Sequence, residues 1–237
     1  MNRSVRKLLW TLGYDLTKFA PNSHPLARKK RLLESYEIDM VLDVGANAGQ
    51  FARQLRRDLG YERRIASFEP LGAAFALLRA HAQGDPAWQV FNFAIGDAEE
   101  RREINIAANS QSSSLLGMLP SHEKAAPEAR YVGREAIEVR TLDSLFAGLC
   151  GSARNVYLKI DTQGYESRVL KGAEKSLARI GTVQVEMSLV PLYDGGPLLN
   201  EMCALLSGRG YTLVAIENGF TDPASGQLLQ VDGIFHR

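Results

Sequence analysis

The segment that most restricts how this chain folds runs Val41-Leu42-Asp43-Val44-Gly45-Ala46-Asn47-Ala48-Gly49-Gln50-Phe51. A short apolar run carries an acid near its end, turns through a glycine loop and opens a stretch in which Phe51, Leu55 and Leu59 recur at helical spacing. Strand, glycine turn and helix in that order are the first unit of a doubly wound α/β sheet, whose ligands lie off the carboxyl ends of the strands. Gly45 gives the turn its freedom, and Gly49 allows close approach of a ligand or a neighbouring strand.

The same rhythm continues along the chain. Apolar runs at 64–68, 88–94, 155–160, 182–187, 211–216 and 228–235 alternate with helical stretches at 50–59, 73–82, 165–178 and 198–209. Crossover helices imply parallel pairing. Only the turn-rich segment 217–227 joins the last two runs, so a hairpin with an antiparallel final strand is expected. The expected fold is therefore α/β: a Rossmann-like sheet, mostly parallel, with helices on both faces. Residues 1–37 read as a helical segment broken at Asn22-Ser23-His24-Pro25, ahead of a main domain over 38–237. Within that domain, residues 97–150 read as an insertion over the mouth of the sheet.

Composition excludes several functions. The 28 Lys+Arg against 27 Asp+Glu leave a net charge of +1, which speaks against a nucleic-acid coat. Cys150 and Cys203 match no metal or redox spacing and read as small hydrophobes. No run approaches the ~20 apolar residues of a membrane span, and residues 1–20 lack an unbroken apolar export core, so a cytoplasmic enzyme is the expectation. The basic run Arg28 to Arg31 reads as a solvated helix face or as a contact for an acidic acceptor or an anionic membrane surface.

The loop after the first run is not a dinucleotide fingerprint. That pattern, started at Gly45, needs glycines where Asn47 and Gln50 stand, and no P-loop is present. A nucleoside ligand without a pyrophosphate suits it better. Glu69, followed by Pro70, closes the second run 20 residues after Gly49, the place of an acid that binds ribose hydroxyls. The alternative is a plain helix N-terminal acid. Ala94 and Ile95 offer an apolar wall for a purine, with Asp97 beside them, although Gly96-Asp97 is also an ordinary turn.

Further on, alternation in Leu158-Lys159-Ile160-Asp161 puts Lys159 and Asp161 on one face, and Glu186 falls on the same ligand edge. A buried lysine needs a partner, so Lys159 either pairs structurally with an acid or tunes one. The histidines are scattered: His24 reads as a turn or cap, His81 as surface, and His122 and His236 as remote candidates. Asn109 to Ser114 reads as a loop that donates hydrogen bonds to a hydroxylated acceptor or stays solvated.

These residues resemble one family. The 43–49 loop, Glu69, Ser112-Ser113-Ser114-Leu115, Thr141-Leu142-Asp143, Lys159-Ile160-Asp161-Thr162-Gln163-Gly164-Tyr165-Glu166, Pro191-Leu192-Tyr193 and Val231-Asp232-Gly233-Ile234-Phe235 look like the FkbM family of S-adenosylmethionine-dependent methyltransferases. The resemblance covers about residues 38–237. It implies a seven-stranded methyltransferase sheet and O-methylation of a sugar, glycan, glycolipid or natural product. Under it, Asp43, Gly45, Ala46, Asn47, Gly49, Gln50 and Phe51 surround the methionine end of S-adenosylmethionine. Glu69 and Pro70 take the ribose, and Ala94, Ile95 and Asp97 flank the adenine. Ser113, Ser114, Gln163 and Tyr193 face the acceptor.

Asp161 is the expected general base, Glu186 the second candidate and Lys159 the tuning cation. Alternatively Asp161 and Glu186 share a divalent cation; no metal site is assigned. A nicotinamide oxidoreductase or epimerase is the first rival, disfavoured by the missing glycines and by the lack of a Tyr-x-x-x-Lys pair placed for hydride chemistry. An RNA or protein methyltransferase is the second, disfavoured by the +1 charge and the lack of an Asn-Pro-Pro-Tyr motif. The expected partner is a small-molecule or glycan acceptor, with no nucleic acid. Oligomeric state is left open.

Overall fold

The computed structural model describes residues 3–237. Two helices come first, α1 (Arg3–Thr11) and α2 (Pro25–Ser35). His24 caps α2: its Nδ1 accepts the Leu26 N–H at 3.2 Å, and Pro25 fills the first helical position. Then follow β1 (Met40–Val44), α3 (Gln50–Arg57), β2 (Arg64–Phe68), α4 (Gly72–Ala82), β3 (Trp88–Phe91), β4 (Ala94–Ile95), β5 (Glu100–Ala107), α5 (Pro120–Ala125), β6 (Tyr131–Arg140) and α6 (Leu142–Cys150). The chain ends with β7 (Val156–Ile160), α7 (Glu166–Lys171), β8 (Ile180–Ser188), α8 (Leu199–Ser207), β9 (Thr212–Asn218) and β10 (Gln230–His236).

Seven strands form the main sheet in the order β3-β2-β1-β7-β8-β10-β9. Pairs from β3 through β8 are parallel, and β10 is antiparallel to both its neighbours. β1 and β7 are buried at every position, as parallel strands covered on both faces must be. Alternation sorts their side chains. Leu42, Val44, Leu158 and Ile160 pack with α6, α7 and α8, whereas Val41 and Tyr157 pack with α2, α3 and α4. Between β1 and β7 the strand order reverses, and there the crevice opens.

Three segments depart from the sequence expectation. The run 88–94 is broken at Asn92, whose Nδ2 donates to the carbonyls of Glu69 (3.0 Å) and Pro70 (2.9 Å). That tie turns the chain out of the main sheet, and β4 pairs instead with β6 in a three-stranded sheet ordered β4-β6-β5. The helix expected over 165–178 ends at Lys171. Gly172 presses so closely on Gly96 that a Cβ there would meet the Gly96 carbonyl oxygen, and the Gly172 carbonyl accepts the Asp143 N–H at 2.9 Å instead of continuing the helix. Finally, the segment 97–150 has two parts. β5 and β6 build the small sheet, but α6 buries Leu142, Phe146 and Cys150 in the main core.

Candidate active site

The loop from β1 to α3 passes through three left-handed residues, Gly45 (φ 79°), Asn47 (φ 46°) and Gly49 (φ 81°). At Gly45 a Cβ would lie 1.8 Å from the Asp161 carbonyl oxygen, so only glycine lets β1 and the end of β7 run this close. Asparagine tolerates the left-handed region, and the Asn47 Oδ1 accepts the Ala48 N–H at 2.8 Å. Gly49 faces Leu78 and Trp88 rather than the crevice. Its role is to let α3 pack on α4 and β3, not to admit a ligand.

Off the ends of β1, β2 and β7 lies a cavity of about 310 Å³, near the lower limit for small-molecule sites. Gly45, Ala46, Asn47, Gln50 and Phe51 line it from the first glycine loop, Glu69, Pro70, Ala94 and Ile95 from the ends of β2 and β4, and Lys159, Asp161, Gln163 and Glu186 from the ends of β7 and β8, with Ser113 from the loop after β5. Five expected residues do not line it, Gly49 being the first. Asp43 is fully buried in β1 beneath Lys159. Asp97 is bound to Arg168 (3.0 Å) and Lys171 (3.1 Å), which hold its carboxyl below its ordinary value although burial alone would raise it. Ser114 is buried and donates to the Gln163 carbonyl at 2.7 Å. Tyr193 lies behind Gln163, its hydroxyl donating to the Gln163 Oε1 at 2.6 Å.

Several lining residues escaped the sequence reading. Leu71, Ile104 and Leu115 complete the apolar wall. Ser110 lines it too and accepts the Asn47 Nδ2–H at 3.1 Å, tying the loop after β5 to the glycine loop. Ser110 and its neighbour Gln111 both fall in the stretch 109–114, expected from sequence as a loop that donates hydrogen bonds to a hydroxylated acceptor or stays solvated. Thr162 and Tyr165 sit inside the 159–166 motif.

Glu69 is set by its backbone neighbours. Its Oε2 accepts the Asn47 N–H and its Oε1 the Leu71 N–H, both at 2.8 Å. Burial raises its pKa to about 7, against the pull of those two bonds. Each oxygen keeps a lone pair, as a carboxylate carries about four acceptor positions. A vicinal diol would use those remaining positions.

At the other end, Lys159 Nζ donates to Asp161 Oδ2 at 3.0 Å and lies 3.9 Å from Asp43 Oδ1. Burial would lower the Lys159 pKa, but Asp161, Asp43 and Asp232 together raise it. Asp43, desolvated, sits above its ordinary value despite that cation. Gln163, left-handed at φ 55°, points its amide between two acids: Nε2 donates to Asp161 Oδ1 (2.8 Å) and Glu186 Oε2 (2.7 Å). The space a shared cation would take between those carboxylates holds this amide. Among the described residues no group of three or more His, Cys, Asp or Glu side chains is arranged to hold a metal.

Gln230 Nε2 also donates to Glu186 Oε2, at 2.7 Å. Burial, and then the nearby Asp161, Glu166 and Asp232, push Glu186 well above the carboxylate range. Below this cluster Glu166 accepts from the N–H groups of Thr162 (2.9 Å) and Gly164 (3.1 Å), fixing the turn that presents Asp161 and Gln163.

Residues 43–213 match the family described as the methyltransferase FkbM domain. The chain belongs to that family. It is an S-adenosylmethionine-dependent methyltransferase. Two relatives agree. The 2-O-methyltransferase NoeI of Sinorhizobium fredii is 27% identical over 173 residues, covering 70% of each chain. The 31-O-demethyl-FK506 methyltransferase FkbM of Streptomyces tacrolimicus is 28% identical over 201 residues, covering 75% of this chain and 74% of the relative. Among solved structures, methyltransferase FkbM from Methylobacillus flagellatus shares the fold with a TM-score of 0.50 at 13% identity, over 83% of this chain and 44% of that one. Among the described residues no helix is long and apolar enough to cross a membrane.

Proposed function

We propose that this methyltransferase acts on a hydroxyl oxygen of a sugar, glycan, glycolipid or glycosylated natural product. The observation that carries the reading is the Asp161–Gln163–Glu186 cluster at one end of the cofactor cavity. S-adenosylmethionine, when bound, supplies an electrophilic methyl group on a sulfonium. The walls suit that cofactor: a buried carboxylate with free acceptor positions at Glu69 for ribose hydroxyls, and apolar Leu71, Ala94, Ile95 and Leu115 for adenine.

Two tasks remain for the protein, alignment and proton removal. Alignment in a dry, rigid site is worth ~7–11 kcal/mol in well-oriented systems. An aliphatic hydroxyl attacks only as its proton leaves, and a positioned base contributes typically ~100- to 10,000-fold. Asp161 takes that role. It lines the cavity with its side chain one-third exposed (33%), while Lys159 and Gln163 hold its two oxygens in a single orientation. Glu186 anchors the amide from the far side. The printed names of both relatives, one a 2-O-methyltransferase and one acting on a 31-O-demethyl compound, support oxygen as the atom methylated.

The test is Asp161→Asn, which keeps shape and removes basicity. Turnover with a labelled methyl donor should fall at least ~100-fold, while calorimetric affinity for S-adenosylhomocysteine stays within a few-fold. Full turnover at saturating acceptor would remove Asp161 as the base. The acceptor class is read by offering the labelled donor with free sugars, glycolipids and hydroxylated natural products in parallel.

A further inference from the structure

The basic run Arg28–Arg31 is not the free cationic patch its sequence suggests. Lys29 is buried in a 2.8 Å ion pair with Glu217 and anchors α2 to the body. A different surface stands uncovered. Seven of the twelve large apolar side chains exposed among the described residues fall between Val5 and Phe19. In α1, Val5, Leu8 and Leu9 share one face, continued by Leu12, and the helix buries no residue at all. Trp10 (54% exposed), Tyr14 (69%) and Phe19 (58%) add aromatic rings to the same segment.

Charge decides what covers this surface. Residues 3–19 carry Arg3, Arg6, Lys7 and Lys18 against a single acid, Asp15, in a chain whose overall charge is only +1. Asp15 is engaged by Arg6 at 2.6 Å, and among the described residues Arg3, Lys7 and Lys18 have no acidic partner. A second copy of the segment would set like charges against each other. A nine-residue helix is marginal alone in water, so its apolar face needs a partner surface. Apolar and aromatic side chains rimmed by cations match an anionic lipid interface, where the rings lie at headgroup depth and the cations meet lipid phosphates.

We propose that residues 3–19 form a docking arm for an anionic lipid surface. This arm is independent of the transfer chemistry, so its failure would leave the active-site reading standing.

The experiment mixes the full chain with vesicles of phosphatidylcholine containing one-third phosphatidylglycerol, and with pure phosphatidylcholine vesicles. The chain has two tryptophans, and Trp88 is buried with its Nε1 donating to Ser67 Oγ. A blue shift of emission therefore reports Trp10. The shift and co-sedimentation should appear with the anionic vesicles only and weaken as salt rises. Lys7→Gln should lower partitioning about fivefold, and Leu8→Gln with Trp10→Gln should abolish it. Unchanged calorimetric affinity for S-adenosylhomocysteine shows that both variants are folded. Absence of binding to anionic vesicles would overturn the proposal, as would equal binding to both vesicle types. A concentration-dependent dimer lost in Trp10→Gln, without vesicle binding, would overturn it in favour of a second copy.

Discussion

With Glu69 as the proposed ribose acceptor, cofactor affinity should depend on pH in a way that can be worked out in advance. Burial raises its pKa to about 7, from 4.5 in an exposed chain, and the Asn47 and Leu71 N–H bonds only partly offset this. Ribose hydroxyls donate, so they prefer the ionised carboxylate. Below pH ~7 the free protein holds a proton on Glu69 that binding must expel, and affinity falls by up to about tenfold per pH unit. Between pH ~7 and ~5 the loss approaches a hundredfold, with a plateau above pH ~8.

Stability runs the other way. A carboxyl whose pKa is raised by folding contributes stability that is complete below its unfolded value and is lost as pH rises through about 7. Glu166, also near 7, and Glu186 carry the same sign, so protonating these groups does not unfold the site. Glu69→Gln should bind S-adenosylhomocysteine weakly and without the slope. Its amide must also turn an N–H toward one backbone donor, which costs about 1–3 kcal/mol of stability. The assay is calorimetry across pH ~5–8.5 in buffers of different ionisation enthalpy, which counts the released proton. A flat wild-type profile, or an unchanged slope in Glu69→Gln, would refute the assignment.

Two further substitutions probe the frame around Asp161. Tyr193→Phe deletes the hydroxyl that fixes the Gln163 Oε1 at 2.6 Å, leaving a buried acceptor unpaired. Denaturant unfolding should show a loss of about 1–3 kcal/mol, and the pH profile of turnover should move while S-adenosylhomocysteine affinity holds. Gly45→Ala places a methyl 1.8 Å from the Asp161 carbonyl oxygen at φ 79°, so β1 and β7 must part. That variant should yield little folded protein in thermal melts, and a native-like melt would show that the two strand ends are less tightly apposed.

What the sequence revealed and what it hid follow from the range of the interactions. β1 and β2 match their apolar runs because each is a strand buried on both faces and closed by a glycine or a proline-flanked acid. The 45–51 wall, Glu69 and the 159–163 cluster were legible for the same reason: a strand's end and its first turn decide what faces the crevice. The split after Phe91 was not legible, since it rests on Asn92 reaching back to Glu69 and Pro70. The early end of α7 depends on Gly172 meeting Gly96, 76 positions earlier in the chain. Asp97 looked like a ligand residue because its two cations lie on α7, out of reach of any local pattern. Ile104 joins the cavity only because β5 of the small sheet packs beside Leu71 and Ala94.

The most direct measurement follows a labelled methyl group from S-adenosylmethionine into a panel of hydroxylated acceptors and identifies the atom that receives it. The expected product is a base-stable O-methyl ether whose formation collapses in Asp161→Asn. Label on nitrogen, in RNA or in protein would contradict it, as would undiminished ether formation by Asp161→Asn.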